Sequence, residues 1–271
     1  MESQFARFVD NIPEHYDHGL GPHVFVDFAR DLAQRVAATH PHTLLEIAAG
    51  TGIVTRMMRD AVPSGTHITA TDLNPPMLEV ARRKFSHTDN VTFQQADATA
   101  LPFEDAAFDT VACQFGVMFF PDKDRSYREV YRVLIPGGRY VFNVWDSFAY
   151  NPHARIQHDT IASFFPQDPP GFYKVPFSYF DIEPIEASLA RAGFQNIAHT
   201  VVSIDKEIGD ADRFARGIVY GNPVIEEIRR RGGINPDAVI SAVADALRRA
   251  FGDSRGRMPL QAIVFSAQKP Q

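Results

Sequence analysis

Leu44-Leu45-Glu46-Ile47-Ala48-Ala49-Gly50-Thr51-Gly52 decides the fold of this chain. An apolar strand runs into a glutamate, then into a turn of small residues, then into a helix opening at Ile53. Small residues let a backbone approach a ligand closely, and glycine tolerates the positive φ that such turns use. The helix that follows aims its unpaired N–H groups back at the turn, which suits a nucleotide-like ligand. A dinucleotide fingerprint G-x-G-x-x-G begun at Gly50 requires glycine at position 55, where Thr55 stands. Read from Glu46, the pattern is instead acidic-x-small-x-Gly-x-Gly.

Working outward, strand and helix alternate five times between residues 44 and 145, which predicts a largely parallel sheet with helices on both faces. His67 to Asp72 reads as a second strand ending in an acid about 20 residues past Gly52, the spacing of a ribose-binding carboxylate. Val91 to Ala98 reads as a third strand containing Asp97, Phe108 to Phe115 as a fourth, and Tyr140 to Trp145 as a fifth after the turn at residues 133–139. Helices are predicted over residues 24–38, 53–61, 76–85 and 124–134, with a short one near Ala98. Beyond Trp145 come a Pro- and aromatic-rich insertion at 146–180, a helix at 181–192, a sixth strand at 195–207, a helical insertion at 209–257 and a final strand at 260–267. The best helix of the second insertion is 236–251, with Asn235 as its cap.

The Glu46–Gly52 motif, the acids at positions 72 and 97, Leu101-Pro102-Phe103 and the Leu134-Ile135-Pro136-Gly137-Gly138 turn together resemble the class I S-adenosylmethionine (SAM) dependent methyltransferases. The branch they resemble most includes the ubiquinone/menaquinone-biosynthesis type. Ala48 departs from the pattern, standing where that family most often has its first glycine. The resemblance implies a Rossmann-like α/β sheet of seven strands, mostly parallel with the last antiparallel, under helical and loop insertions that form a cap. It implies a single domain over 1–271, with a cap segment at 1–40, a SAM-binding core at 41–146, and insertions at 146–180 and 209–257 on the substrate side.

It also implies roles for residues. Glu46 orders the turn; Ala48, Gly50, Thr51 and Gly52 line the cofactor; Asp72 takes the ribose hydroxyls. Asp97 takes the adenine amino group, Gln114 and Phe115 lie near the methionyl part, and Leu73, Met77 and Ala98 complete the lining. Tyr16, in relatives, folds over the bound cofactor; otherwise it is a tyrosine packed against the domain. The implied activity is methyl transfer from SAM, with S-adenosylhomocysteine as product, to a small apolar or aromatic acceptor. A non-catalytic SAM-binding module and an NAD(P)-dependent oxidoreductase are the alternatives.

Each residue also has a plainer reading. A strand-end Asp caps helices as readily as it binds ribose. Asn74-Pro75-Pro76 resembles the tetrad of amino-methylating nucleic-acid enzymes, but it follows the second strand and Met77 replaces the aromatic, so it reads as a helix start. His15, His18, His23, His153 and His158 are candidate bases without a preferred member, and no catalytic residue is legible. Asp122 and Asp124 read as a turn and cap rather than a cation site, and no metal spacing is present. Cys113, the single cysteine, reads as a small buried hydrophobe. The aromatics of 164–180 form either a lid over the crevice or a second core.

Bulk properties agree with a small-molecule enzyme. Hydrophobic content is 45% and charged content 22%, ordinary for a globular protein, and the net charge of −6 argues against a nucleic-acid partner. Met1-Glu2-Ser3-Gln4 lacks the basic and apolar regions of a signal peptide and no stretch is long enough to span a bilayer, so the default compartment is cytoplasmic. The acceptor, the atom methylated and the oligomeric state, a homodimer included, are left open.

Overall fold

Strands β1 (Thr43–Glu46), β2 (His67–Asp72), β3 (Val91–Gln95), β4 (Phe108–Gln114), β5 (Leu134–Trp145), β6 (Gln195–Glu207) and β7 (Arg257–Gln268) form one sheet in the order β3-β2-β1-β4-β5-β7-β6. This is seen in a computed structural model that describes residues 4–253 and 255–271. The reading of Met1–Ser3 as free of a leader falls outside those residues. β1 to β5 are parallel, while β7 runs antiparallel between β5 and β6, in accord with the seven-stranded Rossmann-like expectation. The order reverses between β1 and β4, so their carboxyl ends open a crevice at the switch point.

Neighbouring side chains on one strand serve opposite faces. Leu44 and Ala112 join the core under the N-terminal helices, and Leu45 and Val111 join the larger core on the other face. On the first face lie α2 (Val26–Ala37), which buries Ala29, Leu32 and Val36 at helical spacing, and α3 (Ile53–Ala61), which buries Val54 and Met58.

The helix expected at 24–38 starts earlier and is irregular. A short α1 (Ile12–His15) leads into a π-helical stretch, Tyr16–Phe25, before α2. Pro22 lies inside that stretch. Proline has no N–H and its ring crowds the preceding turn, so a regular α ladder cannot run through it.

Three other boundaries move. The third strand stops at Gln95, and neither strand nor helix covers Ala98. Asp97 stops it, because its Oδ1 accepts from the Thr99 N–H (2.8 Å) and hydroxyl (2.8 Å) in a local turn. The fifth strand begins at Leu134 and absorbs the Pro136-Gly137-Gly138 turn as an irregularity in its pairing with β4. The last strand begins at Arg257 rather than Leu260. The remaining helices are α4 (Pro75–Arg82), α5 (Lys123–Val133), α6 (Pro152–Ser163), α7 (Ile182–Arg191), α8 (Ala211–Tyr220), α9 (Val224–Arg231) and α10 (Pro236–Phe251). α10 has the predicted bounds, with Asn235 Oδ1 accepting from the Asp237 N–H at 3.0 Å. No helix among the described residues is long and apolar enough to cross a membrane.

Candidate functional site: a cofactor cleft and an inner aromatic chamber

The turn after β1 takes three left-handed residues, Ala48 (φ 54°), Gly50 (φ 56°) and Gly52 (φ 77°). At Ala48 the left-handed backbone strains an L-side chain, so glycine would fit that position more easily. Gly52 has a second reason to be glycine: a Cβ on it would lie 2.9 Å from the Ala81 Cβ of α4. It therefore stands against α4 and not on the cleft wall. Gly116, after β4, is tighter still, because a Cβ there would meet the Ala48 Cβ at 2.5 Å. The two strand ends close on each other through that contact.

Glu46 is buried behind the turn, its Oε2 accepting from the Thr55 hydroxyl at 2.5 Å. Position 55, glycine in a dinucleotide site, is thus occupied by the partner of the motif's acid. Burial pushes the Glu46 carboxyl up to about 8, against the Thr55 bond and with help from nearby Asp72. Asp72 is buried too. Its Oδ2 accepts from the Gly50 N–H (2.8 Å) and its Oδ1 from the Asn74 N–H (2.8 Å) and side-chain amide (3.2 Å). Burial raises its pKa although those bonds favour the charged form. Thr51 is turned toward the N-terminal segment and donates to Asp17 at 2.6 Å, and Asp17 also pairs with Lys84.

In front of the turn lies a cleft of about 470 Å³. Ala48 and Gly50 reach it from β1, and Asp72, Leu73 and Met77 from β2 and the start of α4. Asp97 and Ala98 reach it from beyond β3, Gln114 and Phe115 from β4, and Tyr16 from the N-terminal segment. Glu46, Thr51 and Gly52 do not line it; Thr51 borders a smaller recess behind it. Phe115 is held at φ 52°, its N–H bonded to Asn143 Oδ1 at 3.0 Å and its ring stacked on Trp145 at 3.9 Å between centroids. Gln114 is tied to the Phe25 carbonyl at 3.3 Å.

Asn74 was read only as a helix start. Its side chain makes no cap bond to α4. An N-cap oxygen normally accepts from the second or third helical N–H, but Pro76 has none and Met77 N–H is taken by the Asn74 main-chain carbonyl at 3.1 Å. The freed amide accepts from Phe8 N–H (3.1 Å) and donates to the Ala6 carbonyl (3.0 Å), clipping the N-terminal segment to the cleft rim. Two prolines after an N-cap asparagine are the signal that could have revealed this. Phe8, Phe119, Phe120, Asp122 and Arg125 also border the cleft and were missed.

Behind Phe8, Tyr16, Phe115 and Phe119, which it shares with the cleft, lies a second cavity of about 70 Å³. Aromatic rings make most of its wall, among them Phe25, Trp145, Phe172 and Phe177. The insertion's aromatics are packed: Phe165, Phe172, Tyr173 and Phe177 are buried members of the main core. Tyr173 donates to the Ile218 carbonyl at 2.8 Å, and Glu227 accepts from the Gly171 and Phe172 N–H groups, both at 2.9 Å. Lid and core were posed as alternatives, yet the same rings belong to the core and wall the cavity.

The histidines separate cleanly. His15 stacks on Tyr220, His158 stacks on Phe148, and His23 is bonded through Nδ1 to the Gly19 carbonyl at 2.7 Å. The His18 carbonyl accepts from Arg213. His153 alone among them faces the inner cavity, buried on α6. Asp122 caps α5 through the Arg125 N–H at 2.8 Å and Asp124 pairs with Arg191 at 3.4 Å. No cluster of three metal-donor side chains occurs among the described residues. Cys113 is buried, and burial pushes its thiol up to about 12.

A family model described as a methyltransferase domain matches residues 45–142. A demethylmenaquinone methyltransferase of Thermus thermophilus is 45% identical over 114 residues, covering 42% of this chain and 50% of that protein. A ubiquinone/menaquinone biosynthesis C-methyltransferase, UbiE, of Hahella chejuensis is 37% identical over 147 residues, covering 51% of this chain and 58% of that one. The chain thus spans about half the length of the curated relatives it matches. The fold is shared with a phosphoethanolamine N-methyltransferase 2 of Haemonchus contortus in complex with SAM. There the TM-score is 0.60 at 19% identity, over 97% of this chain and 58% of that one. By its strand order, its 46–52 turn and these matches, the segment 45–142 is a methyltransferase domain similar to those of the ubiquinone/menaquinone-biosynthesis type.

Proposed function

We propose that the chain is a SAM-dependent methyltransferase acting on a small, apolar or aromatic molecule. One observation carries this reading: the cleft at the strand ends shares Phe8, Tyr16, Phe115 and Phe119 with an adjoining aromatic chamber. A module that only binds SAM has no need of that second cavity. An NAD(P) enzyme is disfavoured because Thr55, bonded to Glu46, occupies the third glycine position.

The cleft suits the cofactor. Gly50 and Ala48 offer close backbone approach, and Asp72, oriented by Gly50 and Asn74, would take the ribose hydroxyls. Asp97 would take the adenine amino group between Leu73, Met77 and Ala98, while Tyr16, Gln114 and Phe115 would border the methionyl end. Glu46, Thr51 and Gly52 would act from behind, by fixing the turn. When bound, SAM supplies an activated methyl: the S–CH₃ bond breaks as the acceptor's nucleophile forms its own bond, leaving a thioether, and the acceptor loses a proton. The chain's share is then alignment and exclusion of water, where orientation alone supplies on the order of 7 to 11 kcal/mol at best. Aromatic walls also favour a sulfonium cation through their π faces.

The relatives' names make a quinone-type ring and methylation at carbon the first acceptor chemistry to try. Of the chamber's wall, however, only Phe115 and Phe119 lie within the matched residues 45–142, so the acceptor needs its own assay. Net charge −6 and an aromatic chamber without charged lining support a small molecule over nucleic acid. Isothermal titration with SAM, S-adenosylhomocysteine, NAD and NADP tests the cofactor, and mass spectrometry of quinols and phenols incubated with SAM tests transfer. We expect binding of the first two ligands and the gain of one CH₂ by an acceptor. Binding of a nicotinamide cofactor without SAM would overturn the reading.

A further inference from the structure

The inner chamber is lined by a buried imidazole nitrogen that nothing in the fold satisfies and by an amide beside it. His153 and Gln157 sit four residues apart on α6, hence on one face a turn apart. Each is only 3% exposed, and both line the chamber. His153 Nδ1 is buried without a hydrogen-bond partner, and the Gln157 amide, which borders the chamber, pairs with no described residue. Asn222, the chamber's other buried amide, has by contrast an engaged Nδ2: it donates to the Tyr173 hydroxyl at 3.0 Å and to the Ile218 carbonyl at 3.2 Å. Unpaired buried polar groups are costly and rare in folded proteins. Leucine or methionine at 153 and 157 would serve packing better than an imidazole and an amide.

We propose that His153 and Gln157 form a recognition site for the hydroxyl of an uncharged aromatic ring, the polar end of the methyl acceptor. The site rests on the methyltransferase reading above and adds to it which residues read the acceptor. A hydroxyl both donates and accepts. The imidazole's free nitrogen takes its proton, and the Gln157 amide N–H donates to its oxygen. Trp145 and Phe177 flank the imidazole, with ring centroids 6.4 Å and 6.1 Å away, and supply flat surfaces for the ring. No Lys, Arg, Asp or Glu lines the chamber, so a carboxylate or ammonium finds no counter-charge there. Burial holds the imidazole neutral, its pKa pushed down to about 3, consistent with a neutral guest. A space of about 70 Å³ takes the hydroxyl-bearing edge of a ring, with the rest reaching past Phe8, Tyr16, Phe115 and Phe119 into the cleft.

4-Fluorophenol and fluorobenzene differ only in the hydroxyl and can be titrated into the full chain by ¹⁹F NMR. Trp145, the only tryptophan of the chain, lines the chamber, so its fluorescence reports whether binding occurs there. A merely apolar or water-filled cavity would take fluorobenzene at least as well. We expect the phenol to bind about ten-fold more tightly, in keeping with a pair of neutral hydrogen bonds. His153→Leu and Gln157→Leu should each cut that preference several-fold, and the double variant should abolish it. SAM affinity and circular dichroism should stay at wild-type values, because neither residue borders the cleft. Equal binding of the two probes by the wild type, no response of Trp145, or a preference that survives both substitutions would each overturn the proposal. If a leucine variant fails to fold, the wild-type ratio and the Trp145 response still decide. Absence of SAM binding would instead sink the methyltransferase reading while leaving the phenol preference to be scored by itself.

Discussion

The cleft and the chamber adjoin, yet they are built by opposite means. The back of the cleft is made of main chain and short side chains at the ends of β1, β2 and β3, fixed by hydrogen bonds only a few residues from a strand. The chamber is made of large side chains from distant segments: the N-terminal π-helical stretch, Trp145, α6, the 172–177 turn and α8. Close approach to a polar cofactor calls for backbone in special conformations, which local sequence dictates. Enclosing an apolar guest calls for side-chain volume, which any element able to reach the spot can provide. A sheet of this kind can therefore keep one cofactor while its insertions change the acceptor.

The comparison breaks most visibly through Phe172. If the chamber wall is also core, Phe172→Ala should cost roughly 3 to 5 kcal/mol in urea unfolding, the range for a buried phenylalanine. A loss well under 1 kcal/mol would return the segment to the status of a lid. On the cleft side, Asp72→Ala should cost about 2 to 4 kcal/mol of SAM binding, through the lost ribose bonds and the orphaned Gly50 N–H. Calorimetry showing wild-type affinity would reduce Asp72 to a turn-fixing residue.

A smaller effect sharpens the electrostatics of the cleft. Glu46 has its carboxyl raised from 4.5 to about 8 by burial. Between those values the folded chain keeps a proton that the unfolded chain has released, so stability falls as pH rises through that window and falls no further above it. One such proton is worth at most about 1.4 kcal/mol per pH unit. Asp72 shifts in the same direction and adds to the slope, so the contribution of Glu46 is read as a difference. We expect Glu46→Gln to remove up to about 3 kcal/mol of the decline between pH 5 and pH 8. Parallel stability profiles for variant and wild type would mean that Glu46 titrates normally. The smallest effect expected is none: EDTA should leave methyl transfer unchanged, since Asp122 caps α5 and Asp124 pairs with Arg191. Loss of turnover with EDTA and recovery with magnesium would bring both back as ligands.

What was legible followed from chemistry close in sequence. The 46–52 turn, the acid at 72, the alternation of strand and helix, and α10 with its Asn235 cap could be read because spacing, small residues and caps act over a few positions. Periodicity reached its limit before Val24: the apolar spacing of 24–38 gives no account of the π-helical stretch that contains Pro22. Asp97 was read as strand because the turn it makes with Thr99 competes with pairing, and composition does not rank the two. The sequence by itself determined the sheet, the cofactor turn and the kind of ligand at the strand ends. Only the tertiary structure decided that Asn74 clips the N-terminal segment, that the insertion's rings are core and wall at once, and that His153 of five histidines faces the chamber. Those outcomes depend on which distant side chains compete for one volume and which buried polar atoms are left unpaired, and neither is encoded in any local window.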